Sequence, residues 1–398
     1  MIAWIILLLA AGFFFLDRFS LSLRGDCDLT LRTDLISNAV KVSKPDYHLF
    51  RFEVPLENRS GREQALVIFA NVQHIPAKKE DKQIGVWCRI TLGESPRDDG
   101  YFEATLVKPG KLVPLRVEMR VEENGAGSAA RRLGEMNETS FEVAYGYYGR
   151  KPMVTDRAIV TVPMETFKES PAAFEAVTTP TPPRTPKQSN VVPIPTHLIY
   201  PGEDLSAVIR DYTKGIARPG DWIAIAESVV AIAQGRVYPV QTIHPGFWAR
   251  RLNRFFQFNS SLASSYSMEW GIREVGLPRM LLAAVVGSLG RLLGRSGDFY
   301  RIAGRSVAAI DDCTGTLPPF DKSVVLAPKD PDELAEKNRR DTGLEVAVVD
   351  ANDLGKVDIL GKSSGIVDQA LVDAIRDNPQ GNGDEQTPMV LIRRGSLG

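Results

Sequence analysis

The residues best suited to chemistry are five aspartates, Asp311, Asp312, Asp321, Asp350 and Asp353, in the stretch from Asp311 to Gly355. Two short apolar runs there, Ser323 to Ala327 and Leu344 to Val349, are expected to be buried strands, and the aspartates bound them. Carboxylates gathered where strands end suit an oxygen-ligated divalent metal, which in turn holds a phosphate. Asp and Asn beside Gly or Pro are also common turn formers, and spacing alone leaves both readings open.

The elements that must position these groups begin near Ile194. Gly202-Glu-Asp-Leu opens an amphipathic helix, Pro219-Gly220 turns, and Trp222 to Ala226 reads as a buried strand. Glu227 and Ser228 follow it directly and Gln234-Gly235-Arg236 closes the next element; capping a helix is the simpler role for Glu227 and Ser228, reaching a ligand the sharper one. The apolar run Met280 to Leu289 between Arg279 and Arg291 is expected as a buried helix, with docking on a membrane surface left open. Gly355-Lys-Val-Asp-Ile-Leu-Gly-Lys-Ser looks like a phosphate-wrapping P-loop, but it has five residues between its glycines where the motif needs four. Met389 to Ile392 is expected as a last strand after a polar loop.

Upstream, the period is two. Val113, Leu115, Val117, Met119 and Val121 alternate with polar residues and Pro114, and Phe50, Phe52, Val54 and Leu56 do the same. Short strands separated by Gly, Pro and Asn turns over residues 25–165 predict an all-β sandwich of immunoglobulin-like type. This domain shows no catalytic constellation, so a spacer or interaction module is expected; Tyr145, Tyr147 and Tyr148 read as core more readily than as a binding patch. Residues 166–193, with Thr179-Pro-Thr-Pro-Pro, read as an extended proline-rich linker to a domain at 194–398.

Ile2 to Leu16 is uninterrupted apolar sequence, and residues 1–18 are expected to be a single membrane anchor rather than a cleaved signal. Arg18, Arg24 and Arg32 follow it, which by the positive-inside rule puts the body in the cytoplasm. A net charge of −1 gives no electrostatic reason to expect nucleic acid as a partner. Three dispersed cysteines and four dispersed histidines suggest neither a disulfide framework nor a zinc site.

From Ile194 onward the chain resembles the F(420)-0:γ-glutamyl ligase family. Pro201-Gly-Glu-Asp-Leu to Gly235-Arg236 is similar to its PGDDL, GDVLVV and SKAEGR segments, Val324 to Asp332 to its LLPxDPDxSA, and Val346 to Gly355 to the strand ending in its DTFG turn. The resemblance implies an α+β domain that forms an amide bond, joining L-glutamate to a small-molecule carboxylate acceptor with GTP (or ATP) as co-substrate and Mg²⁺ or Mn²⁺ on the phosphates. It implies a nucleotide site keeping Gly235 and Arg236, to which Thr196, His197, Glu227 and Ser228 are added and Lys322 and Lys329 as stand-ins for a family lysine, and a metal site at Asp321, Asn352 and Asp353, with Asp350 as a further carboxylate and Asp311 and Asp312 joining from their place at the strand ends. The chain departs from the pattern at Ala231, Ile232 and Gln234, where the family has Ser, Lys and Glu, so a ligase-like domain that has lost catalysis and binds a nucleotide, metabolite or protein is the alternative. A homodimer and a protein partner for the β-domain are compatible with either.

Overall fold

The computed structural model describes residues 25–394 except 45–46, 62, 76–85, 94–96, 98–100, 123–132, 134–135, 150–152, 171–182, 257–260 and 382–384; of the first 24 it describes Gly12, Phe15 and Phe19. The expected anchor therefore lies almost wholly outside the described residues. Among those described, no single helix is long and apolar enough to cross a membrane; one bent pair, Ser265–Val275 with Leu277–Leu292, passes by length and composition.

The chain divides into two compact units. The first comprises residues 1–178 with 249–265, the second 179–248 with 266–398. Phe167 is buried in the first unit's core, and Lys168–Glu169 pairs with one of its strands. Arg184 and Lys187 are already bonded into the second, to Asp353 and Asp377, so both ends of the expected linker are built into folded structure.

In the first unit, β1 (Leu29–Leu31), β2 (Ser37–Ser43), β3 (Tyr47–Asn58), β5 (Val86–Leu92), β7 (Leu112–Glu122) and β10 (Lys168–Glu169) form one sheet, ordered β10-β2-β3-β7-β5 with β1 on β3. The other sheet runs β6 (Thr105–Val107), β4 (Ala65–Ile75), β8 (Glu138–Tyr148), β9 (Val154–Pro163). Alternation along β3 and β7 sends Phe50, Phe52, Val54, Leu115, Val117 and Met119 into one core shared with Val67, Phe141 and Val143 of the second sheet. Tyr145, Tyr147 and Tyr148 are buried, so they do not form a surface patch. The opposite face of β3 and β7 is not simply solvated: Glu118 is buried between Arg51 and Arg89, and Glu53 is held by Arg116 at 3.0 Å.

The second unit is built on a five-stranded mixed sheet ordered β11 (Val191–Ile194), β17 (Met389–Ile392), β12 (Trp222–Ala226), β15 (Glu345–Ala351), β16 (Val357–Lys362). Only β12 and β15 run parallel. Successive residues of β12 serve opposite faces. Ile223 and Ile225 pack with Val346 and Val348 against α1 (Leu205–Thr213), while Trp222 and Ala224 pack with Ala347 and Val349 against Leu371, Ala374 and Ile375 of the helix Asp368–Ile375. A sheet covered on both faces needs continuous apolar strands, which is why these runs show no alternation. The run from Ser323 is an exception to the expected placement: Ser323–Val325 is β14, paired with β13 (Val237–Pro239) in a separate two-stranded ribbon.

The segment resembling a P-loop contains β16, an extended strand laddered to β15, and the Lys362 N–H donates to Asp332 Oδ1 at 2.9 Å. Its Gly361 lies under the helix Pro331–Thr342, where an added Cβ would come within 2.5 Å of the Asp332 amide nitrogen. Gly361→Ala is therefore expected to destabilise the second unit by roughly 2 kcal/mol, because backbone must move to accommodate a single methyl. Urea unfolding monitored by tryptophan fluorescence checks this; an unchanged midpoint would show that the helix yields without cost.

Candidate functional site

The parallel pair β12–β15 determines where carboxylates meet. Its register runs from Trp222↔Glu345 to Ala226↔Val349, so the next residues along the two strands are Glu227 and Asp350, side by side at the carboxyl ends. That edge is where ligands bind in open α/β sheets. Glu227 is the first residue of the helix α2 (Glu227–Ala233), whose N-cap is Ala226 with no side-chain cap. The capping role expected for Glu227 is therefore not the one it has.

Asp311 joins them from the ribbon. Its backbone exchanges hydrogen bonds with Val325, the Asp311 N–H donating at 2.8 Å and the Val325 N–H at 2.9 Å, which ties the aspartate to β14. Burial pushes the Asp311 carboxyl up to about 7, with Asp350 and Asp312 adding to the rise. Burial likewise raises Glu227 well above the usual carboxylate range, reinforced by Asp311 and Asp350 and partly offset by its own backbone N–H. Asp350, with an exposed edge, is raised by desolvation, opposed by Lys356 and supported by Asp358 across the ladder. Three carboxylates thus share one neighbourhood and resist being charged together.

The other expected residues have different surroundings. Asp312 accepts from the Cys313 N–H at 2.9 Å and from Ser267 Oγ at 3.1 Å, on the helix Ser265–Val275. Asp321 is buried, and its backbone carbonyl accepts from the Thr314 N–H at 2.8 Å. Asn352 closes the β15–β16 turn, its Oδ1 accepting from the Leu354 and Lys356 amides. Asp353 is bound by Arg184 at 2.6 Å and by Asn378 Nδ2 at 3.0 Å, beside a 590 Å³ cavity lined by residues 184–188, 353–355, 373, 376, 377 and 379. The six expected metal ligands therefore do not gather as one set: Asp350 and Asp312 lie within electrostatic reach of Asp311, and among the described residues no three His, Cys, Asp or Glu side chains are placed to hold one ion.

Among the residues expected at a nucleotide site, the His197 ring lies between Tyr212 Oη at 2.8 Å and Glu203 at 2.7 Å, and the Glu203 contact lowers the proton affinity of Glu203. Thr196 is buried, its Oγ donating to the His197 carbonyl and its own carbonyl accepting from Gln386 Nε2. Arg236 donates to the Ala327 carbonyl at 2.7 Å and pairs with Glu274 at 2.8 Å. Gly235 takes a left-handed conformation, φ +73°, that lets the chain turn from α2 into β13. Lys329 is exposed, and its backbone forms a reciprocal clasp with the Gln234 amide at 2.7 and 2.8 Å. Ser228 sits beside Glu227 in the first turn of α2, and Lys322 is half-buried in the short helix before β14. Ala231 and Ile232 are core residues packed with Phe320 and Val325, which is why a lysine has no place there.

Sequence reasoning missed Asp358 and Glu274. Asp358 lies within the segment set aside as a false P-loop, is paired with Arg305, and adds to the negative field at Asp350 and Glu227. Only the antiparallel register Asp350↔Asp358 reveals its place, and no local motif carries that information.

Residues 193–352 match the family profile described as F420-0:Gamma-glutamyl ligase, which supports a ligase-type domain in this part of the chain. No curated protein matches the chain. Among solved structures, the FixG-related protein from Vibrio parahaemolyticus is 8% identical, over 34% of this chain and 94% of that one, with a TM-score of 0.19. The GAE domain of GGA2p from Saccharomyces cerevisiae is 11% identical, over 31% and 97%, with a TM-score of 0.18. Scores this low carry no argument.

Because Asp311 binds its proton more tightly in the folded state than its ordinary value of 3.8, this group stays protonated in the folded protein and not in the unfolded chain between about pH 4 and 7. Stability from this group is full below that window and is lost as pH rises through it. Asp311→Asn is expected to stabilise the protein by about 1–3 kcal/mol at pH 8 and to have little effect at pH 4. Denaturant melts at both pH values test this, and equal effects at the two would show that Asp311 is not electrostatically strained.

Proposed function

We propose that the second unit is a nucleotide- and metal-dependent amide ligase, joining an amino acid, with glutamate the first choice, to a carboxylate-bearing cofactor or metabolite. The observation that carries this reading is the meeting of Glu227 and Asp350, at the carboxyl ends of the parallel strands, with Asp311, tied to β14, within the segment matching the ligase profile.

The donor set is all oxygen, which suits Mg²⁺ or Mn²⁺ rather than zinc. Three converging protein ligands are not required, because Mg²⁺ at a phosphate site is held by one or two carboxylates plus the phosphates and water. Asp311 and Asp350 would hold it, and its charge would relieve their repulsion. When bound, the ion offsets the negative charge that builds on the transferring phosphoryl group. The reaction this reading assigns has two steps. A substrate carboxylate oxygen bonds to the γ-phosphorus as the bond to the nucleoside diphosphate breaks; then the amine nitrogen attacks the acyl carbon, phosphate leaves, and the amine gives up a proton. Glu227, with its raised proton affinity, is the group we assign to accept it.

A second reading is a non-catalytic module, and three contacts favour it: Ile232 is core where the family has lysine, Arg236 is paired with Glu274, and Asp353 with Arg184. In both, Ile2 to Leu16 tethers the protein to a membrane, with the body on the cytoplasmic side and the immunoglobulin-like first unit as spacer.

The deciding measurement is calorimetric titration of the full chain with non-hydrolysable GTP and ATP analogues, with and without Mn²⁺. The whole chain is needed because the two units interleave in sequence. The ligase reading expects metal-dependent binding in the micromolar range, weakened by about tenfold or more in Asp311→Asn with Asp350→Asn. Failure of both analogues to bind would favour the module.

A further inference from the structure

The helix Leu277–Leu292 is oriented the opposite way to an ordinary surface helix. Its packed side is made of small residues and one methionine: Met280, Ala283 and Gly290 are buried, and an added Cβ on Gly287 would meet Phe299 Cβ at 2.8 Å. Its large apolar side chains point outward. Leu282, Val285 and Leu289 are 56, 58 and 56% exposed, and Leu292 and Leu293 at its end 83 and 77%. Leu282, Val285, Leu289 and Leu292 follow one another by three, four and three residues, which puts them on one stripe, an apolar face without a partner in the described structure.

The sequence around that stripe is rich in arginine. From Leu277 to Arg301 it carries Arg279, Arg291, Arg295 and Arg301 against Asp298 alone, four positive less one negative, a net +3 in a chain whose total is −1, with Arg295 and Arg301 sharing Asp298 as their ion-pair partner. At 1.5 Å per residue, 16 residues rise about 24 Å, short of the ~30 Å hydrocarbon core, and the preceding helix meets this one at 114°. The segment therefore has the length and charge of a helix that lies in a membrane surface rather than across it.

We propose that this face docks the second unit on an anionic lipid bilayer, with the leucine stripe in the headgroup–acyl boundary and the arginines against lipid phosphates. A second copy of the chain is the poorer occupant, since a two-fold contact would set +3 against +3. Single weak membrane contacts are reversible and paired ones hold, so the stripe would act together with the apolar run Ile2 to Leu16. The proposal is independent of the ligase reading.

The test places a tryptophan on the stripe of the full chain, Val285→Trp, with Leu289→Trp as a second probe and Ile216→Trp, at an exposed site in the same unit, as control. Each is added to vesicles with brominated acyl chains, either wholly zwitterionic or containing phosphatidylglycerol. The expected result is blue-shifted emission and quenching at least ~2-fold greater for the stripe probes than for the control, and greater with anionic lipid than without. Quenching no greater than the control, or equal in the two vesicle types, would overturn the proposal. Blue-shifted emission without quenching would overturn it too, and would favour a protein partner, a second copy if the shift grows with protein concentration.

Discussion

The in-register parallel pairing of β12 with β15 is the constraint on which the second unit depends. Strands aligned this way end at the same height, so the residues that follow the paired positions become neighbours although they lie far apart in sequence. Here those residues are Glu227 and Asp350. The sheet can afford acidic ends because its middle is fully covered: Ile223, Ala224, Ile225, Val346, Ala347 and Val348 are at 0% exposure, and α1 and the helix Asp368–Ile375 close the two faces. The stability of the covered strands offsets the strain at their ends.

That strain is electrostatic and specific. Gathering Glu227, Asp311 and Asp350 costs free energy at neutral pH that well-packed apolar residues would not cost, and nothing in the fold requires acids at all three places. Groups shifted by burial and by one another at the mouth of a sheet are what a site for a cation or proton transfer looks like. Around them, however, the arginines named at the site are spoken for, Arg236 by Glu274, Arg305 by Asp358, and Arg184 by Asp353 and Glu385, while Lys356 acts on Asp350. A triphosphate entering here would have to displace ion pairs or rely on cations it brings with it. Under the ligase reading, a bound metal would carry more of the charge balance than in a site with a lysine at position 232.

Much of this fold is written locally. The alternation of Leu112–Glu122 and the apolar runs Trp222–Ala226 and Met389–Ile392 coincide with strands β7, β12 and β17, because burial on one face or on two leaves different patterns in sequence. What local pattern does not carry is partnership. Ser323–Val325 is as apolar as β15, yet it pairs with Val237–Pro239 outside the main sheet. Asp353 and Asp350 are separated by two residues, and only the turn at Asn352 decides that one faces Arg184 while the other faces the cluster. The candidate site was legible as a collection of acids and not as a geometry, since register is settled by chain segments far apart.

The helix Leu277–Leu292 shows the same limit from the other side. Its sequence displays an apolar run between two arginines, and hydropathy places such a run inside. Volume decides otherwise. Phe299 and Asp298 press against the helix so closely that glycine is needed at 287 and 290, and a leucine on that face would collide. With small residues consumed by the close approach, the leucines have only the outward face left. Apolar periodicity establishes that a helix has two faces, and the bulk of its neighbours determines which of them is buried.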